Sequence, residues 1–427
     1  ETAQYYGFDE NHEWKLIDIG FDEGIKIVER LGAELGADAL AVAKDITCDI
    51  NSAPVSLGAT SFDFPNKAED GTINVTVDAL QLGDIGFVGF KQEMDCVTGQ
   101  QIQAASPYGT TLLVSFLNGD GKYLGHKEAY DFNQGAGTWE TKRSAFAIGA
   151  AERLVEVATS LLTGRNTSKL SAGAGIAEMV FPQEYFDILD ENGNVTETKE
   201  DGFSGKVYTF NGNKSVITDN LCTRILLVED GERAAIVALE VAQAPDDQVA
   251  YTKQIVSEVC QVKEENVWVH TTHQFGFMHR PSDPVKAATY DEICKAAVRE
   301  AAEQAIASFE PAVLGVGTGE SYVSANKNII NPEEPGVGPY YGPGSTLETD
   351  PELTMIRFQS AATGEDIGYY MSYGTKPSAL CTTGKTVGNR QVNTEVTGQA
   401  CKLVEEWYGV PCVFCMPAAG DQYPRET

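Results

Sequence analysis

Short apolar runs alternating with amphipathic stretches constrain this chain more than any other feature. Segments 79–90, 110–119, 224–230, 234–242 and 410–419 read as strands, several of them apolar on both faces, as strands covered by helices are. Between them, 147–162, 283–309 and 396–409 carry helical periodicity, with Asp283 as a candidate cap. That alternation predicts an α/β fold. Segments 187–202 and 331–345 are polar or rich in Gly and Pro and read as loops, the second long enough to serve as a lid or substrate loop. DENGN (190–194) lacks the glycine and distal glutamate of a calcium loop and reads as a turn. GVGTG (315–319) has neither a following Lys-Ser/Thr nor the full dinucleotide spacing, so it does not read as a phosphate loop.

With 427 residues, 42% of them hydrophobic, the chain can bury one large core or two ordinary ones. It contains no run of 18 apolar residues, and Glu1–Phe8 lacks the basic and apolar regions of a signal peptide, as a mature chain also would. A net charge of −31, from 62 acidic against 31 basic residues, repels phosphate backbones and anionic lipid, which argues against nucleic acid as a partner. Nine scattered cysteines do not form a disulfide framework, so a reducing, cytoplasmic setting is expected, with secretion left open. The CxxC from Cys412 to Cys415 lies inside an apolar run and reads as a buried strand.

VHTTHQFGFMH (269–279) holds three of the five histidines. His270 and His273 are three apart, so a regular strand points them to opposite faces and they cannot share one metal. His270 reads as a core-face residue, His279 as a loop residue, and His12 and His126 as surface groups.

From residue 172 onward an ordered set of segments carries a resemblance: AGAGIAEMVFP (172–182), TDNLCTRILLVEDGERAAIVALEV (218–241), ENVWVHTTHQFG (265–276), SYGTKPSA (372–379) and MPAAGDQYPR (416–425). Together with LQLGDIGFVGFKQEMD (80–95) and the stretch 104–130, they resemble the catalytic domain of the neutral/alkaline ceramidase family. The order is rotated. Residues 1–162 resemble the family's C-terminal segment, 163–171 read as a joint, and 172–427 resemble its N-terminal segment, as in a circularly permuted chain. The resemblance implies a single α/β catalytic domain over 1–427, with a large mixed β-sheet sandwiched by α-helices.

It also implies a zinc site built from two histidines, a glutamate and a tyrosine, in which the metal polarises an amide carbonyl and activates water. Carried over residue by residue, His273, Glu93 and Tyr123 keep three ligand positions, Phe275 replaces a second histidine of the His273 motif, and Lys376 falls where the last histidine belongs. An ammonium ion cannot ligate a metal until it loses a proton. Two readings follow: Lys376 takes the metal's electrostatic place opposite Glu93, or zinc persists with fewer or shifted ligands. Lys376, Tyr423 and Asp421 are the catalytic candidates, and Asn326 and Lys327 the substrate-binding ones. The expected function is a ceramidase-like hydrolase of a non-peptide amide bond in a small N-acyl compound. The alternatives are a metal-free Lys/Tyr/His proton-transfer enzyme (isomerase or lyase) and a non-catalytic binding protein. A homo-oligomer is compatible with the sequence.

Overall fold

Eight strands form the main sheet, in the spatial order Val267–Thr271, Glu232–Leu239, Leu221–Asp230, Ser171–Met179, Glu310–Glu320, Glu352–Ser360, Asp366–Tyr373 and Cys412–Cys415. The outermost pairing at each edge is parallel and the inner ones are antiparallel. A second sheet joins Val55–Pro65, Thr72–Leu82, Ile85–Phe90 and Thr110–Val114, the last pair parallel. The computed structural model describes residues 4–18, 20–68, 70–119, 121–162, 169–181, 188–189, 195–196, 209–210, 213–214, 219–274, 280, 284–334, 336–344, 347–379 and 392–426.

This is the expected α/β fold with a large mixed sheet flanked by helices, with one addition. The inner face of the main sheet is covered by the second sheet, so the helices sandwich two sheets. Leu80, Phe87 and Leu112 of the small sheet meet Leu226, Trp268, Phe358 and Tyr370 of the large one in a common apolar core. Helices Asp246–Cys260 and Pro284–Ala307 cover one half of the main sheet's outer face, and Phe21–Asp45 with Glu395–Tyr408 cover the other. Cys96–Ala105 and Ala150–Leu161 cover the small sheet. Among the described residues no helix is long and apolar enough to cross a membrane.

Glycine placement explains two segments. GVGTG is a main-sheet strand: a Cβ on Gly315 would lie 2.4 Å from the Thr47 carbonyl, just past the end of helix Phe21–Asp45, and one on Gly317 2.8 Å from Ile46. In AGAGIAEM, a Cβ on Gly175 would lie 2.0 Å from the Ala301 carbonyl of helix Pro284–Ala307. These glycines let helices approach the sheet. Gly175→Ala is expected to force this helix outward and cost about 1–3 kcal/mol in urea unfolding, with the m-value unchanged. The segment read as one strand over 79–90 is instead a tight hairpin, turned at Gly83 with φ 59°. The CxxC is a wholly buried edge strand.

Candidate functional site

Five candidate residues follow the carboxyl ends of the strands that take part in parallel pairing. His273 follows Val267–Thr271, Lys376 follows Asp366–Tyr373, Glu93 follows Ile85–Phe90, Tyr123 follows Thr110–Val114, and Asp421 follows Cys412–Cys415. Crevices outside the carboxyl ends of parallel strands are where open α/β sheets place ligands, because loops diverge there. A short parallel ribbon sets Glu93 opposite Tyr123 and Met94 opposite Leu124. Asn118 ties the intervening loop down: its backbone N–H donates to the Val269 carbonyl and its side chain accepts from the Val269 N–H at 3.2 Å. Gly420 packs on this ribbon, and a Cβ there would meet the Met94 carbonyl at 2.8 Å.

Lys376 stands at the centre of the cluster. Its Nζ donates to Glu93 Oε1 at 2.9 Å and to the Tyr123 hydroxyl at 3.1 Å. Lys327, wholly buried, donates to the same hydroxyl at 3.4 Å, pairs with Glu140 at 2.9 Å, and donates to the Gly420 carbonyl. His273 Nε2 lies 3.5 Å from the other oxygen of Glu93. The His273 ring stacks on Phe116 with centroids 4.0 Å apart, and its Nδ1 donates to the Ala242 carbonyl at 2.7 Å. Nε2 faces Glu93, and the interaction between them favours the ionised carboxylate and the charged imidazole alike. Lys376 adds the nearest positive charge to the same carboxylate.

The electrostatics agree with the geometry. Burial opposes ionisation of Glu93, but Lys376, His273 and Lys327 hold it ionised, below the usual carboxylate range. Burial also opposes the charge on Lys376, yet Glu93 and Tyr123 raise its pKa above that of an ordinary lysine. For Lys327, Tyr123, Glu140 and Glu93 likewise overcome burial and raise the pKa. Burial lowers the pKa of His273, partly offset by Glu93.

These residues do not fit zinc. His273, Glu93 and Tyr123 do converge, but the point they converge on is occupied by the ammonium group of Lys376, and a dication there would be repelled by it. Among the described residues no group of three or more His, Cys, Asp or Glu side chains is arranged to hold a metal. Phe275 and His279 lie outside the described residues, as does DENGN. His270 is wholly buried in its strand, where burial lowers its pKa to about 4, in keeping with a core-face role.

A cavity of about 440 Å³ adjoins the cluster. Asn326 and Asn328, on one face of strand Ser324–Ile329, line it together with Glu140 and Asp421, while Lys327 between them reaches the ammonium cluster. Two groups differ from expectation. His126, read as a surface residue, is largely buried in the cavity wall, with Nδ1 2.6 Å from Asp95. Its segment is polar and lacks a motif, and the packing of Asp95 beneath it was invisible in the sequence. Tyr423 is wholly buried in strand Gln422–Pro424 opposite Ala325 and does not line the cavity, so it is not poised to meet a ligand there. Glu140, which neutralises Lys327, had no sequence signal.

Asp421 accepts from the Cys96 N–H at 2.9 Å and from Asn326 at 3.0 Å. Burial, together with Asp95 and Glu140, pushes its pKa up to about 7. A carboxyl whose pKa is raised in the folded state stabilises the fold below its unfolded value and loses that contribution as pH rises through about 7. The stability of the protein relative to Asp421→Asn is therefore expected to fall by on the order of 4 kcal/mol between pH 4 and pH 8 in chemical denaturation.

No family model matches the chain, and no curated protein matches it. Among solved structures, the neutral ceramidase from Pseudomonas aeruginosa is similar at 17% identity and a TM-score of 0.41, over 60% of this chain and 39% of that one. A ceramidase complexed with C2 is similar at 17% identity and a TM-score of 0.40, over 60% of this chain and 38% of that one. The likeness thus spans less than half the length of either ceramidase chain.

Proposed function

We propose that this chain is a metal-free hydrolase of a non-peptide amide bond in a small N-acyl compound, on a rearranged ceramidase-like catalytic domain. The observation that carries this reading is the ammonium group of Lys376, set between Glu93 and Tyr123 with His273 against the same carboxylate. It puts a fixed positive charge where three ligand-type side chains meet. Tyr123 is the member of the cluster that is only half-buried. Its oxygen accepts from both lysines, which keeps its O–H as a donor for the oxygen of an amide carbonyl. As water adds to that carbonyl, negative charge grows on the oxygen, and a donor backed by two ammonium groups stabilises it.

A lysine base is not favoured. General-base lysines need a lowered pKa, and both lysines here are raised by their carboxylate and phenol partners. The test is amine release from a panel of short N-acyl amino alcohols and N-acyl amines by the protein freed of metal with chelator. Turnover that survives chelation and falls about 10²–10³-fold in Tyr123→Phe supports the reading. Turnover restored only by added zinc contradicts it.

A further inference from the structure

Most of the cavity floor has already used its hydrogen-bonding capacity. Asn326 donates to Asp421 and to the Glu348 carbonyl, and its oxygen accepts from the backbone and side chain of Asn328. Asn328 in turn donates to Glu140 and accepts from the Trp139 N–H. Asp95 accepts from the N–H and hydroxyl of Thr98, the His126 N–H and the His126 ring. One ring nitrogen breaks the pattern. With Nδ1 committed to Asp95, His126 keeps Nε2 for the cavity, its side chain 17% exposed against 4% for Asp95.

We propose that His126, oriented by Asp95, is the proton-transfer group of this cavity and a catalytic residue for the ligand bound there. A buried carboxylate on one imidazole nitrogen fixes the tautomer and leaves the other to take or give a proton. Asp95 is itself rigid, since it caps helix Cys96–Ala105 through Thr98. The ribbon that sets Glu93 beside Tyr123 continues directly into Asp95, two residues on, or about 6–7 Å along an extended chain. On the other strand of the ribbon Tyr123 leads to His126 three residues on, so the two strands hold the carbonyl-polarising and proton-moving groups together.

Resting on the amide-hydrolysis reading, the step is as follows. His126 Nε2 takes a proton from water as its oxygen bonds to the carbonyl carbon. It returns that proton to the amide nitrogen as the C–N bond breaks, giving a carboxylic acid and an amine. Asp421, Glu128, Glu140 and Glu348 face the imidazole from the other cavity walls, and exposed Lys127 adjoins it in sequence. Burial disfavours the imidazolium, but Asp95, then Asp421 and Glu128, outweigh it and raise its pKa.

The test is carbethoxylation of the whole chain with diethyl pyrocarbonate, mapped by peptide mass, alongside amine release from the N-acyl panel. His126 is expected to react while buried His270 and His273 do not, and turnover should fall in step and return with hydroxylamine. His126→Gln should lower kcat about 10²–10⁴-fold with KM nearly unchanged. Asp95→Asn should lower kcat less and move the pH midpoint of His126 modification downward. An unreactive His126 beside a reactive, exposed His12, or full turnover after His126 is modified, overturns the proposal. If the unmodified protein releases amine from no panel member, amide hydrolysis is what fails. The acid–base pair is then judged on modification alone: it stands if His126 reacts with a midpoint lowered by Asp95→Asn, and falls otherwise.

Discussion

Lys376→Met is expected to destabilise the protein by about 3–5 kcal/mol at neutral pH, because it leaves Glu93 ionised, buried and without its nearest cation. Methionine matches the lysine stem in volume, so the loss reports charge and not packing. The pH dependence carries the sign. Glu93 has a depressed pKa in the folded protein, so its contribution is present above the usual carboxylate pKa and is lost only as pH falls through the depressed one. In Lys376→Met the carboxyl protonates at higher pH, and the deficit should shrink as the solution is acidified toward pH 4–5. Adding Glu93→Gln should recover most of it. Urea unfolding of the two single variants and the double variant measures this coupling. A deficit that is flat with pH, or one the second substitution does not relieve, would mean that the pair is not the centre of the site.

Lys327→Met should be nearly as costly, about 3–5 kcal/mol, for a related reason. It strands Glu140, which is 1% exposed, and removes the donor to the Gly420 carbonyl. Arginine is not expected to rescue it. The site is shaped for a compact ammonium that reaches Glu140, the Tyr123 hydroxyl and a backbone carbonyl at once, and a planar guanidinium cannot direct its donors that way. In thermal unfolding, Lys327→Arg is expected to fall close to Lys327→Met. An arginine variant as stable as the parent would show that charge alone, without geometry, holds this end of the site.

Much of this arrangement was readable from residue types. The alternation of apolar and amphipathic segments gave helices at Ala150–Leu161, Pro284–Ala307 and Glu395–Tyr408, because each buries a 3.6-period face on a sheet. Helix Phe21–Asp45 was not recognised, and neither was the strand Glu310–Glu320 beneath it. The strand is written largely in small residues, whose role is close approach and which carry a weak periodic signal, whereas the helix does carry a 3.6-period apolar face at Val28, Leu31, Leu35 and Ala39. Within the site, Glu93, Tyr123, His273 and Lys376 were named from motifs as much as 283 residues apart, and their side chains meet. Lys327 was expected at a substrate, but it is buried in the charge cluster. Glu140, Asp95 and the true setting of His126 had no local signature, since their partners come from distant loops that only the folded chain brings together. Sequence patterns report periodicity and motif spacing, whereas ion pairs between loops depend on where strands end.

Fold alone does not decide whether a dication or an ammonium ion governs this pocket. Equilibrium dialysis of the chelator-treated protein against zinc, read by metal analysis beside Lys376→Met, addresses that point most directly. With the ammonium of Lys376 between Glu93 and Tyr123, the parent protein is expected to retain far less than one zinc per chain. One tightly held zinc per chain, lost on Glu93→Gln or His273→Gln while Lys376 is intact, would contradict it.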